Sequence, residues 1–188
     1  FIEDIMSKVN FRLKSLELGR LYFLDDKSTK CQNFCAFIKL HEQSLERLKC
    51  ESFLLRHFAD FKSLKSVEMN LDYAWPLECS VMPQVEQLRI SGYRIKLEGI
   101  NRIFPNIKEL RVDHIKDLLK AFKAIEECTN VVKLTLDTFQ NEALQTPLRM
   151  PNLKHLHVIK CDITRCPFDT DVVQLEELIV ERSRDTSW

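Results

Sequence analysis

Residues 107–115 read Ile107-Lys108-Glu109-Leu110-Arg111-Val112-Asp113-His114-Ile115, with apolar residues at the first, fourth, sixth and ninth positions. The middle pair alternates with polar residues, the period of two by which a strand sends one set of side chains inward and the other outward. An apolar residue three positions earlier fits a chain turning into that strand. Moving outward, the spacing L-x-x-L-x-L-x-x-L, with other apolar residues allowed at L, recurs along the whole chain. Upstream it runs Leu13, Leu16, Leu18, Leu21; then Leu45, Leu48, Cys50, Phe53; then Leu64, Val67, Met69, with Asp72 in the ninth place; then Val85, Leu88, Ile90, Tyr93. Downstream it runs Val131, Leu134, Leu136, Phe139; then Leu153, Leu156, Val158, Cys161; then Leu175, Leu178, Val180, Ser183. Successive starts lie 32, 19, 21, 22, 24, 22 and 22 residues apart.

Each copy needs a return segment before the next strand. The stretch Asp117 to Glu127 carries Leu118, Leu119, Phe122 and Ile125 at helical spacing, and Lys30 to Gln43 carries Cys31, Phe34, Cys35, Ile38 and His41. The return from Glu142 to Met150 is short and marked by proline, so it reads as irregular. Pro83, Pro105 and Pro151 stand about two residues before a copy, where a missing N–H does least harm. No single copy can bury its apolar side, but stacking can, at roughly 1.5–3 kcal/mol per buried Leu or Ile. The expected fold is an α/β solenoid of about eight repeats, one domain over residues 1–188. Its curved parallel β-sheet lies on the concave side, with helices or irregular returns on the convex side.

Composition narrows the function classes. The 188 residues hold 28 Lys plus Arg and 28 Asp plus Glu, a formal net charge of zero. That balance argues against nucleic acid or an anionic membrane as partner. Twenty-six residues are Leu and only 3 are Gly, which leaves little material for phosphate-cradling loops. No apolar run is long enough to span a bilayer. The 7 cysteines are odd in number and sit mostly at apolar positions, as buried thiols of a cytoplasmic or nuclear protein would. Phe1 is not an initiator methionine and no signal-peptide pattern follows it, so the chain reads as a fragment. Apolar residues 1, 2, 5, 6 and 9 form a helical face able to close the first repeat. Beyond Val180 no return helix follows, so further repeats or a cap are expected.

The pattern resembles intracellular, ribonuclease-inhibitor-like leucine-rich repeat proteins over nearly the whole chain. Extracellular repeats usually place Asn at the ninth position, which here holds Leu21, Phe53, Asp72, Tyr93, Ile115, Phe139, Cys161 and Ser183. The runs Pro105-Asn106-Ile107-Lys108-Glu109-Leu110 and Pro151-Asn152-Leu153-Lys154-His155-Leu156 are similar to the repeat region of F-box proteins. So is the segment through His41 into Ser44-Leu45-Glu46-Arg47-Leu48. The resemblance implies the substrate-recognition region of a ubiquitin ligase, with the adaptor Skp1 bound only through an F-box that this sequence does not contain. The alternative is a repeat scaffold or inhibitor unrelated to ubiquitin.

In such a solenoid the residues between inward leucines face the concave surface. One column is Glu17, Lys49, Glu68, Arg89, Arg111, Thr135, His157 and Ile179. The next is Gly19, Glu51, Asn70, Ser91, Asp113, Asp137, Ile159 and Glu181. Either could be an ordinary solvated face. Two features favour a protein-binding surface. Arg89 and Arg111 stand on adjacent strands beside Asp113 and Asp137, and Ile159 and Ile179 are apolar at wet positions beside His155 and His157. Sequence beyond Trp188 could instead cover the two isoleucines.

Sharper chemistry finds no support. His155, His157, Cys161 and Cys166 include metal-ligand types, but their spacing matches no zinc finger, and Cys161 falls on an inward position. Cys31 and Cys35 are one helical turn apart, which suits core packing rather than the Cys-x-x-Cys of redox proteins. There is no G-x-S-x-G, H-E-x-x-H or P-loop. No enzyme activity, metal or cofactor is expected.

Overall fold

A computed structural model of the chain describes residues 12–18, 29–71, 79–92, 97–114, 118–137, 147, 149–160 and 174–181. Within them lie eight strands: β1 (Ser15–Glu17), β2 (Arg47–Glu51), β3 (Ser66–Asn70), β4 (Gln87–Ser91), β5 (Glu109–Asp113), β6 (Lys133–Asp137), β7 (His155–Ile159) and β8 (Glu177–Glu181). They form one open sheet in sequence order, every neighbouring pair parallel. Parallel neighbours need crossover connections. Among the described residues, four of these contain helix: α1 (Thr29–Lys39), a 3₁₀ helix (Ser52–Phe58), α2 (Ile100–Ile103) and α3 (Leu118–Glu126).

Every L-x-L centre predicted from spacing falls in a strand, except that β1 stops at Glu17, one residue short of Leu18. The register does not slip. Leu16, Leu48, Val67, Leu88, Leu110, Leu134, Leu156 and Leu178 make one cross-strand row. Cys50, Met69, Ile90, Val112, Leu136, Val158 and Val180 make the next. A slip of one residue would exchange the apolar face for the polar one, so burial of these rows fixes the pairing.

Backbone carbonyls also repeat their roles where each strand begins. Glu86 O accepts from Lys108 and Glu109 N–H at 2.8 and 3.0 Å, and Lys108 O from Val132 and Lys133 at the same distances. Lys154 O accepts likewise from Glu176 and Glu177. One position before the first apolar residue, a side chain reaches back to the previous turn. Asn106 donates to Pro83 O, Asn130 to Pro105 O and Asn152 to Thr129 O, each at 2.8 Å. Ser44, Ser63 and Gln84 do the same job earlier, on Leu13 O (2.9 Å), Gln43 O (2.8 Å) and Phe61 O (3.0 Å). At the opposite ends of the strands the chain bends through positive φ at Gly92 (148°), His114 (63°) and Lys160 (51°).

One apolar core joins the inward sheet residues to the returns. Leu54, Leu55 and Phe58 fill it from the 3₁₀ helix and Phe61 from just after it, Ile100 and Ile103 from α2 and Phe104 from just after it, and Phe122 and Ile125 from α3. Phe58 and Phe61 meet edge to face, ring centroids 5.2 Å apart. Helix α1 ends at Lys39, short of the expected Gln43. His41 and Glu42 N–H turn to Ile38 and Lys39 O in three-residue turns, and His41 O then takes Ser44 and Leu45 N–H. Cys50 and Cys128 are buried thiols and Cys79 is half-buried. Burial raises all three, Cys79 to about 11 and Cys128 to about 12. Residues 1–9, Asp72, Tyr93, Ile115, Phe139, Cys161 and Ser183, and 142–146 of the irregular return, lie outside the described residues.

Candidate functional site

The face of the sheet opposite the core carries both predicted columns, apart from Gly19, which lies outside the described residues. Glu17, Lys49, Glu68, Arg89, Arg111, Thr135, His157 and Ile179 pair directly across all eight strands, and Asp113, Asp137, Ile159 and Glu181 form the row beside them. Alternation places them there: each has an inward apolar neighbour on either side in sequence, or on one side at the strand end.

The middle of this face is a continuous ion-pair network. Lys49 Nζ lies 2.6 Å from Glu17 and 3.4 Å from Glu68. Glu68 also meets Arg89 Nη1 at 3.5 Å. Arg89 Nε and Arg111 Nε each donate to a different oxygen of Asp113, both at 2.8 Å. Arg111 Nη2 continues to Asp137 at 3.6 Å. Spacing alone placed Asp113 on a wet surface. Instead its side chain is only 4 % exposed, because the two arginines close over it, themselves 42 % and 37 % exposed. Thr135, expected to be wet, is also buried.

The electrostatics follow from this geometry. Burial alone would lower the Arg89 pKa, but the hydrogen bond and charge of Asp113 hold the guanidinium above its ordinary value. Its hydrogen bond to Glu17, then the charge of Glu68, raise Lys49. A carboxylate shared by two Nε atoms fixes the planes of both guanidinium groups, and charge-assisted bonds of this length are the strong kind. The remaining nitrogens, Nη2 of Arg89 and Nη1 of Arg111, have no partner among the described residues. A shallow depression of about 340 Å³ lies over these strands, lined among others by Glu68, Arg89, Arg111, Lys133 and His157.

The other predicted residues gather at β7 and β8. His157 Nε2 is 2.9 Å from Glu181, and His155 Nδ1 is 3.3 Å from Glu177. Ile179 pairs with His157 and is 39 % exposed. Ile159 stands between Asp137 and Glu181, half-buried rather than wet. The structure therefore unites Arg89, Arg111, Asp113 and Asp137 in one network and His155, His157, Ile159 and Ile179 on the two strands beyond it. Sequence reading passed over Glu177 as a histidine partner, and it missed the rim column in which Lys14 meets Glu46 (3.1 Å), Lys108 meets Glu86 (3.3 Å) and Lys154 meets Glu176 (2.7 Å). The signal for that column was the sign alternation of Lys14, Glu46, Lys65, Glu86 and Lys108 one residue after each copy begins.

A second depression, about 400 Å³, opens between α2 and α3 beside Glu98, Arg102, Lys123 and Glu127. It gathers none of the predicted residues. Among the described residues, no group of three or more His, Cys, Asp or Glu is placed to hold a metal ion. Cys161 and Cys166 lie outside them. Nor is any described helix long and apolar enough to cross a membrane. No protein-family model, curated protein or solved structure matches the chain.

Proposed function

We infer that the chain is a leucine-rich repeat solenoid whose open sheet face, concave in such a fold, binds a protein partner. The reading extends to the substrate-recognition region of an F-box protein, which would join a ubiquitin ligase through Skp1 by a segment outside this sequence. One observation carries the binding reading. Arg89 and Arg111 are held in fixed orientation by a buried carboxylate, each keeps one nitrogen without a partner among the described residues, and both line a depression that also includes His157. Two orientated guanidinium groups, with the exposed Ile179 three strands beyond Arg111, supply the arginine and apolar anchors that dominate protein interfaces. The F-box part rests on the resemblance of Pro105–Leu110, Pro151–Leu156 and the stretch through His41 into Ser44–Leu48 alone.

Affinity purification of the full-length protein with mass spectrometry tests both parts. Recovery of Skp1 and a cullin with a specific substrate supports the ligase reading. Recovery of a partner without them favours the scaffold or inhibitor reading and ends the ligase one. For the binding face, the Arg111→Ala, Ile179→Asp double variant should lose at least about ten-fold in affinity for the recovered partner. Unchanged affinity in a folded double variant would sink the assignment.

A further inference from the structure

The depression over the sheet face is selective in what it accepts. Its lining residues occupy the first three positions of strands β3 to β7, and β2 and β8 flank it, so neither edge of the described sheet borders it. Arg89 and Arg111 stand directly opposite each other on β4 and β5. Like charges in that position repel, and Asp113 holds them together. Its two oxygens take one Nε each at 2.8 Å, so a single carboxylate spans both guanidinium groups. Glu68 and Asp137 each meet one further nitrogen, at 3.5 and 3.6 Å. Nη2 of Arg89 and Nη1 of Arg111 keep no partner among the described residues. Guanidinium nitrogens only donate, so whatever meets them must be an acceptor.

Charge decides which acceptor fits. Glu68, Arg89, Glu109, Arg111 and Lys133 line the depression, and Lys133 has no ion pair among the described residues. With Asp113 buried under the arginines, three cations stand among three carboxylates, and the patch is balanced before any ligand arrives. A dianion such as a phosphoryl group would add two negative charges beside Glu68, Glu109 and Asp113, against guanidinium charge that is already shared. A neutral carbonyl accepts without that conflict, but its bonds are roughly half as strong as those of a carboxylate. A monoanion with two acceptor oxygens matches two free nitrogens on two adjacent guanidinium groups.

We propose that this depression is a carboxylate subsite, in which an aspartate or glutamate side chain of the partner protein bridges Arg89 and Arg111 as Asp113 already does, with Lys133 beside it. Giving that carboxylate to a partner rests on the reading of the sheet face as a binding surface. The two carboxylates have separate tasks. Asp113 sets the planes of the guanidinium groups, and the incoming one completes their bonding. Forks set in advance lose less freedom on binding than mobile arginines would.

The arginine Nε–H resonances of the full, ¹⁵N-labelled chain test this, assigned through Arg89→Lys and Arg111→Lys. The probes are glutamate blocked by acetyl and amide groups, glutamine blocked in the same way, and inorganic phosphate, all at one pH and ionic strength. Blocked glutamate should move both resonances saturably. Blocked glutamine should bind at least about five-fold more weakly, and phosphate no more tightly than glutamate. Arg111→Lys keeps the charge but not the fork, and should weaken glutamate at least about three-fold, read at Arg89. If that variant unfolds, the three probes on the unaltered chain still decide. Equal binding of glutamate and glutamine, tighter binding of phosphate, or full affinity in a folded Arg111→Lys variant overturns the proposal. So do resonances that no probe moves, whether the arginines bind nothing or are already held by an acidic residue of the same chain. Partner affinity that survives the Arg111→Ala, Ile179→Asp double variant ends the sheet-face reading whatever these spectra show. Glutamate that fails here while the double variant loses its partner ends the carboxylate assignment alone.

Discussion

At Gly92 the chain leaves β4 with φ at +148°, and a Cβ there would sit 2.8 Å from the backbone oxygen of Leu71. Neither side has a flexible end that can swing away. Gly92→Ala should therefore destabilise by about 1–3 kcal/mol, measured by urea unfolding. Gly99 is the contrast: its φ is +80°, but a Cβ would meet only the far end of the Arg102 side chain, so Gly99→Ala should cost about 1 kcal/mol. The same unfolding experiment separates the two aspartates beneath the arginines. Asp113→Ala removes the acceptor of two 2.8 Å bonds and should cost about 2–3 kcal/mol. Asp137, whose contact to Arg111 Nη2 is 3.6 Å and which is not covered by both arginines, should cost less than Asp113 when replaced by alanine. Spacing made the arginine neighbours legible but not this difference. Alternation sends Asp113 and Asp137 to the same face, and it cannot tell which of them two long side chains will cover.

Between residue and fold stand the turns that lead into each strand. Asn106, Asn130 and Asn152 each donate across one turn, over 23, 25 and 23 residues of sequence. Asn106→Ala and Asn130→Ala should each lower stability by about 1 kcal/mol, whereas Lys108→Ala, which loses only an exposed 3.3 Å pair, should change it by less than about 0.5 kcal/mol. Equal effects of the three would show that the asparagine bonds add nothing beyond the turn. The prolines before Asn106 and Asn152 were readable as residues standing just ahead of a copy. The acceptors of the asparagines were not, because local sequence does not reveal which carbonyl lies alongside after a full crossover. Helix α3 was legible from its apolar stripe, but the 3₁₀ helix was not. Leu54 and Leu55 are adjacent and Phe58 follows three residues later, a pattern that also suits an irregular return.

Among the described residues, the first and last strands are less buried than the middle of the sheet. Inward residues of β3 to β6 are almost completely buried, while all five residues of β8 are exposed and Leu16 of β1 is only half-buried. In an array held by nearest neighbours, opening should begin at the ends. Amide exchange should then be slowest in β4 and β5 and fastest in β1 and β8; uniform protection would contradict this gradient. The buried thiols give a second global test. A free thiol ionises near about pH 8.5, whereas Cys79 is raised to about 11 and Cys128 to about 12. Above about pH 8.5 the unfolded chain releases thiol protons that the folded chain keeps. Their contribution is full below that pH and is lost as pH rises towards 11. The melting temperature should fall over that range, less steeply in Cys128→Ala.

The order and direction of the strands were legible at this scale because near-equal intervals bring one L-x-L after another into parallel register. The chemistry of the outward face was only half legible, since it depends on contacts between side chains some 22 residues apart.

That register has a consequence for how such a chain can change over generations. The residues that hold neighbouring strands in phase lie behind the sheet, and those that meet the surroundings lie in front. Substitutions at Glu17, Lys49 or His157 alter what the surface attracts while leaving Leu16, Leu48 and Leu156 to keep the strands aligned. Under the proposed binding role, selection for a new ligand and selection for folding would act on different letters of the same strand. Asp113 is where the two demands meet, because one buried carboxylate both supports the sheet and aims the arginines.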